Sequence, residues 1–201
     1  MKLYYSPGAC SLAPHIVLRE TGLPFELIRV DNTTHKTADG VDFYSINPKG
    51  YVPVLELDSG ERLTEGPIIA QYLSDLAGRE DLMPAAGTIA RYRVLEWQNY
   101  ITSELHKSFS PLFNPAFDAN AKDIHAAALY KKFEWVSSEL AGKKYLTGNS
   151  FTAADAYLFT VAGWAKYVKL DLTKLDNLQQ YLQLIATRET VQAAMQAEGL
   201  M

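Results

Sequence analysis

The chain has one cysteine, Cys10, in 201 residues. That excludes an internal disulfide and any cysteine-based zinc cluster, and it predicts a reducing, cytoplasmic setting with no metal site. No run of about 18 apolar residues occurs, so no membrane-spanning helix and no membrane partner are expected. A secretory leader is not expected either, because Pro7 and Gly8 interrupt the early apolar stretch. Positive charge is not in surplus: 19 basic residues face 23 acidic ones, for a net charge of −4. No nucleic-acid partner is therefore expected, and any anion site has to be local. Internal repeats and low-complexity tracts are missing as well.

What is present is an ordinary globular composition, 48% hydrophobic and 21% charged, long enough for a substantial core. The first 80 residues alternate between short strand and helix patterns. Strands are predicted over residues 2–5 and 25–30, with a helix over 10–21 whose Leu12, Ala13, Ile16 and Val17 share a face. A short helical stretch over 41–46 follows, and then a hairpin of residues 54–57 and 62–64 around Asp58-Ser59-Gly60. Ile68, Ile69, Tyr72, Leu73 and Leu76 stripe another helix. Residues 78–87 read as a linker, and beyond them only helices are predicted. These cover 89–109, ended by Ser110-Pro111, and 121–140, then a buried helix opened by Thr152-Ala153-Ala154-Asp155 and one striped by Leu178, Tyr181, Leu182 and Ile185. Thr152 and Asp155 have capping-box spacing. The expected organisation is a mixed α/β domain over 1–80 and an all-helical domain over 88–201.

The segment Asn47-Pro48-Lys49-Gly50-Tyr51-Val52-Pro53, closed by Leu63-Thr64-Glu65-Gly66, carries the strongest functional signal. Proline has no N–H, so Pro53 belongs at the start or edge of a strand. A cis Val52-Pro53 bond would turn the Val52 N–H and C=O outward, where an extended ligand can pair with them. Glu65-Gly66-Pro67 opens a helix, and a helix N-terminus attracts anions. Together they read as a dock for a small acidic peptide.

Cys10 begins the helix predicted over 10–21, where the dipole lowers a thiol pKa below the free value of about 8.5; the alternative is a small buried hydrophobe. Tyr5 and Ser11 are rival hydrogen-bond donors to a substrate thiolate, Tyr5 reading better as packing and Ser11 as a helix cap. Asn99 and His106, seven residues apart, share a face of a regular helix. His106 can supply a proton near neutral pH. His15, His35 and His125 show no partner spacing and read as structural. Among the aromatics, Phe113 and Trp164 are candidates for the wall of an apolar pocket.

Lys2-Leu3-Tyr4-Tyr5-Ser6-Pro7-Gly8-Ala9-Cys10-Ser11, the Asn47-to-Pro53 segment, Glu104-Leu105-His106-Lys107, Phe151 to Phe159, and Ala197-Glu198-Gly199-Leu200 resemble, in this order, the bacterial beta class of glutathione transferases. The resemblance spans nearly the whole chain. It implies a thioredoxin-like N-terminal domain, an all-helical C-terminal domain and a homodimer. It also implies conjugation of glutathione, a co-substrate with no other cofactor, to hydrophobic electrophiles. Cys10, His106 and Ser11 are the implied catalytic residues. Ala9, Cys10, Lys36, Val52, Pro53, Glu65, Gly66, Asn99, Glu104, His106 and Lys107 are those implied to hold glutathione, with Glu104 reaching the partner subunit's molecule. Cys10 would also form a mixed disulfide with glutathione. A glutathione-dependent thiol transferase or peroxidase, and a non-catalytic ligand binder of the same fold, are the alternatives.

Overall fold

A computed structural model describes residues 1–201. Strand β1 (Lys2–Tyr5) lies at the centre of a five-stranded sheet of order β3-β2-β1-β4-β5. It pairs in parallel with β2 (Glu26–Asp31) and antiparallel with β4 (Val54–Glu56). The outer strands are β3 (Lys36–Thr37) and β5 (Arg62–Thr64). Alternation along β1 and β4 sends Leu3 and Leu55 to one face and Tyr4 and Val54 to the other. On the first face pack α1 (Leu12–Thr21) and α2 (Gly66–Leu76), through Ile16, Val17, Ile69 and Leu73, all fully buried. The second face is covered by a 3₁₀ turn, Phe43–Ser45, whose Phe43 stacks on Tyr4. Parallel β1-α1-β2 followed by an antiparallel hairpin and a helix is the thioredoxin-like arrangement.

The helical half holds α3 (Ile89–Tyr100), α4 (Lys107–Phe113), α5 (Ala119–Glu139), α6 (Ala153–Ala162), α7 (Asp176–Ala186) and α8 (Glu189–Ala197). α6 is buried on nearly every side and packs on α1, α2 and α3. It belongs to one continuous core with the sheet-side helices. Its start is organised by Asp155, which is fully buried. Oδ2 of Asp155 accepts from the Thr152 N–H and hydroxyl, each at 2.8 Å, and Oδ1 accepts from the Leu146 N–H and the Tyr181 hydroxyl, each at 2.9 Å.

Several sequence expectations need correction. Helix α1 begins at Leu12, so Cys10 lies in the turn before it. The stretch over 41–46 forms only the 3₁₀ turn, and β3 carries no periodic signal. The helix from Ile89 does not stop at Ser110-Pro111. It widens into a π-helical segment, Ile101–His106, and continues as α4 with Pro111 inside it. The actual break is Asn114, whose ψ of 118° is the extended value that a following proline, here Pro115, imposes. The Val52-Pro53 bond is cis, as expected from sequence.

Candidate active site

The sheet layer and the π-helical segment face one another across a cleft with two joined chambers. The polar chamber has a volume of about 710 Å³ and is walled by Val52, Glu65, Gly66, Lys107 and Tyr157 among others. The apolar one, about 400 Å³, is walled by Phe109, Phe113, Trp164 and Tyr167. Ala9, Cys10 and His106 line both chambers. A hydrophilic ligand and an apolar one can therefore meet at the cysteine and the histidine.

Cys10 sits on the β1–α1 turn, partly exposed, with its Sγ donating to the Val52 carbonyl at 3.3 Å. Burial pushes its thiol up to about 11, with Glu65 adding to the rise, so the expected depression of its pKa is overturned. The thiol lies before the helix rather than in it, and lost hydration outweighs the nearby backbone N–H groups. The turn is tied from both sides. Gly8 donates its N–H to Glu198 Oε2 at 2.9 Å, and its carbonyl accepts from Trp164 Nε1 at 2.8 Å. Glu198 Oε1 in turn meets Nδ1 of the fully buried His15 at 2.8 Å. Ser11 neither caps α1 through its side chain nor faces the cleft. Its wholly buried hydroxyl donates to the Ser6 carbonyl and accepts from the Ser6 N–H, which removes it as a thiol activator. Tyr5 is buried against the His15 ring, as the packing reading has it.

Val52 keeps its N–H free of any partner within the chain. Glu65, before α2, has φ 68° and ψ 111°, a region that costs a non-glycine residue about 1–3 kcal/mol and collects at functional sites. Its carboxylate, exposed to the cleft, accepts from Lys49 Nζ at 2.6 Å, and Lys49 also reaches the Thr64 hydroxyl at 2.9 Å. The Gly66 N–H belongs to the first turn of α2, where helical N–H groups lack partners in the helix. Lys36 is an exposed strand residue outside the cleft; His35 and Lys49 line it instead. His35 has φ 51°, stacks on Tyr44 with ring centroids 4.7 Å apart, and keeps its buried Nδ1 unpaired.

Nδ1 of His106 and the Tyr157 hydroxyl share a hydrogen bond of 2.7 Å whose direction follows the imidazole tautomer, and the ring packs edge-on against Trp164. Burial, reinforced by the adjoining Lys107 charge, lowers its pKa to about 4. The imidazole is thus neutral at pH 7. A neutral imidazole offers a lone pair or an N–H and carries no surplus proton, which differs from the sequence expectation of a proton supply near neutral pH. Asn99 is exposed outside the cleft, because the π-helical turn breaks the seven-residue register. Glu104 also lies outside it, paired with Lys132 at 2.9 Å. Phe113 and Trp164 do share the apolar chamber. Sequence reasoning missed Lys49, which stood inside the quoted segment without a role, and Tyr157, which its apolar helix disguised as core.

Residues 8–76 match the family model of the glutathione S-transferase N-terminal domain, and residues 100–189 match that of the C-terminal domain. Glutathione S-transferase GstA of Escherichia coli O157:H7 is 48% identical over 200 residues, all of each chain. A sphingomonad glutathione S-transferase solved in complex with glutathione is 47% identical, with TM-score 0.95 over 100% of both chains. The bacterial beta class transferase of Sphingomonas chungbukensis is 45% identical, with TM-score 0.96 and the same coverage. A thioredoxin-like layer closed by a helical domain over a divided cleft defines the class of protein. The chain belongs to the glutathione S-transferase family, within its bacterial beta class.

Proposed function

We propose that this transferase joins the thiol of reduced glutathione to hydrophobic electrophiles, with thiol–disulfide exchange through Cys10 as a second activity. The supporting observation is the polar chamber opening into an aromatic one at Cys10 and His106. In this reading the glutathione cysteinyl backbone pairs with Val52, its α-ammonium with Glu65, and its α-carboxylate with the Gly66 N–H. The glycyl carboxylate goes to His35 and Lys49 rather than Lys36. Phe113 and Trp164 hold the electrophile. Rate acceleration then comes from proximity and from hydrogen-bonding and charged groups placed beside the glutathione sulfur. Neutral His106 is the base of the cleft, and Lys107 supplies positive charge beside it.

In the exchange reaction Cys10 loses its proton and attacks a mixed disulfide of glutathione as the thiolate, binds its glutathionyl sulfur and expels the other thiolate, which takes up a proton as it leaves. A second glutathione then attacks this new bond, leaving oxidised glutathione and restoring the Cys10 thiol. Cys10→Ala tests both roles together, assayed with an aromatic halide and with a mixed disulfide. Conjugation is expected to persist while exchange disappears, since in the first reaction the attacking sulfur is glutathione's and in the second it is that of Cys10. Loss of conjugation as well would overturn that division.

Asn99 and Glu104 lie outside the cleft of their own chain, and Ile68, Ile89 and Tyr92 leave apolar surface exposed on α2 and α3. These features support a two-fold homodimer in which Glu104 faces the partner subunit's glutathione. Sedimentation equilibrium at micromolar concentration and near-physiological salt should return twice the chain mass. A monomer there refutes the assembly.

A further inference from the structure

The π-helical segment has a support that neither the cleft nor the core explains. Within it the main chain pairs five residues back, the Lys107 N–H reaching the Thr102 carbonyl. A change of register leaves main-chain groups short of their usual partners, and side chains then enter the ladder. Two side-chain donors close on the Glu104 carbonyl: the Ser108 hydroxyl at 2.6 Å and the Lys132 ammonium, from α5, at 3.0 Å. Lys132 Nζ also lies 2.9 Å from both the Ser108 hydroxyl and Glu104 Oε2. One ammonium from a neighbouring helix therefore touches a carbonyl, a hydroxyl and a carboxylate of the same turn.

The register of that turn decides where His106 points. In an unbroken α-helix Asn99 and His106 would share a face. Here Asn99 is exposed outside, whereas His106 lines both chambers and is held by Tyr157. Straightening the turn would swing the imidazole away from the Tyr157 hydroxyl. We propose that Lys132 is a positioning residue for His106: its ammonium, bound to the Glu104 carbonyl, holds the widened turn that aims the imidazole into the cleft. Its bearing on catalysis rests on the proposed role of His106 as the base. The charged or titratable groups around the imidazole are Lys107 on α4, Tyr157 on α6, Cys10 on the β1–α1 turn and Glu65 before α2.

The test is Lys132→Met, which keeps the aliphatic stem and removes the charge. Two readings are taken: conjugation kinetics with an aromatic halide, and the His106 titration followed by imidazole carbon resonances. The kcat should fall roughly ten- to hundredfold, the loss that a displaced catalytic group brings, with little change in KM for glutathione. The titration midpoint should climb from about 4 toward the ordinary histidine value of about 6.5. Lys132→Arg, which restores a cationic donor, should recover both. A moved titration with unchanged kcat supports the positioning and refutes instead the catalytic role of His106. An unchanged titration in Lys132→Met overturns the inference. If that variant does not fold, Lys132→Gln carries the same two readings.

Discussion

Asp155→Ala is expected to leave the helical domain unable to hold its native packing. The carboxylate is fully buried and meets four donors, from Leu146, from Tyr181 and twice from Thr152. Burial raises its pKa and those donors pull the other way. Alanine removes both carboxylate oxygens and leaves the Thr152 and Leu146 donors in a dry site, with Tyr181 keeping only its longer contact, 3.4 Å, to the residue-155 carbonyl. An orphaned buried group costs about 1–3 kcal/mol, so the loss is roughly 4 kcal/mol or more. A domain's whole stability is about 5–15 kcal/mol. Urea denaturation read by circular dichroism should show a collapsed midpoint or no soluble protein, and Asp155→Asn, which keeps one acceptor and the volume, a smaller loss. A wild-type midpoint for Asp155→Ala would show that Leu146, Thr152 and Tyr181 find other partners.

Glu65→Gln should weaken glutathione binding by roughly 2–5 kcal/mol, the usual cost of truncating one partner of a covered charge pair. Glutamine is the better substitution because Glu65 sits at φ 68°, and it changes charge without changing side-chain length. In the free chain the carboxylate is already satisfied by Lys49. Binding therefore exchanges one ammonium for another, and the gain comes from the second pair being screened from water by the ligand. Calorimetric titration gives the dissociation constant directly. If that constant matches the wild type, Glu65 does not hold the α-ammonium.

Much of this architecture could be read from the chain because it rests on local chemistry. The Val52-Pro53 bend, the Asp58-Ser59-Gly60 hairpin and the Thr152–Asp155 start each have a residue type that demands its geometry. The apolar stripes of α1, α2 and α7 were legible for the same reason. What escaped depends on partners distant in sequence. The two-residue β3 has no pattern of its own and exists only beside β2. The π-helical turn is a matter of main-chain register, to which composition is blind, so Asn99 was grouped with His106 on a face they do not share. At Cys10 the helix dipole is legible from position, while the lost hydration is not. At Ser11 the position suggests a cap, while the hydroxyl is spent on Ser6. Lys36 was named beside His35, and Lys49 was given no role, because a positive φ at His35 and the approach of Lys49 to Thr64 and Glu65 cannot be seen in a string of letters.

The hydrogen bond from Gly8 to Glu198 joins groups separated by 190 positions in the chain. During translation the ribosome delivers Gly8 long before Glu198. The sheet of an emerging polypeptide can pair early, but the turn bearing the sulfur gains its tie to Glu198 only after residue 198 has cleared the exit tunnel. A chain stopped short of residue 198 would therefore carry Cys10 on a turn that lacks one of its ties.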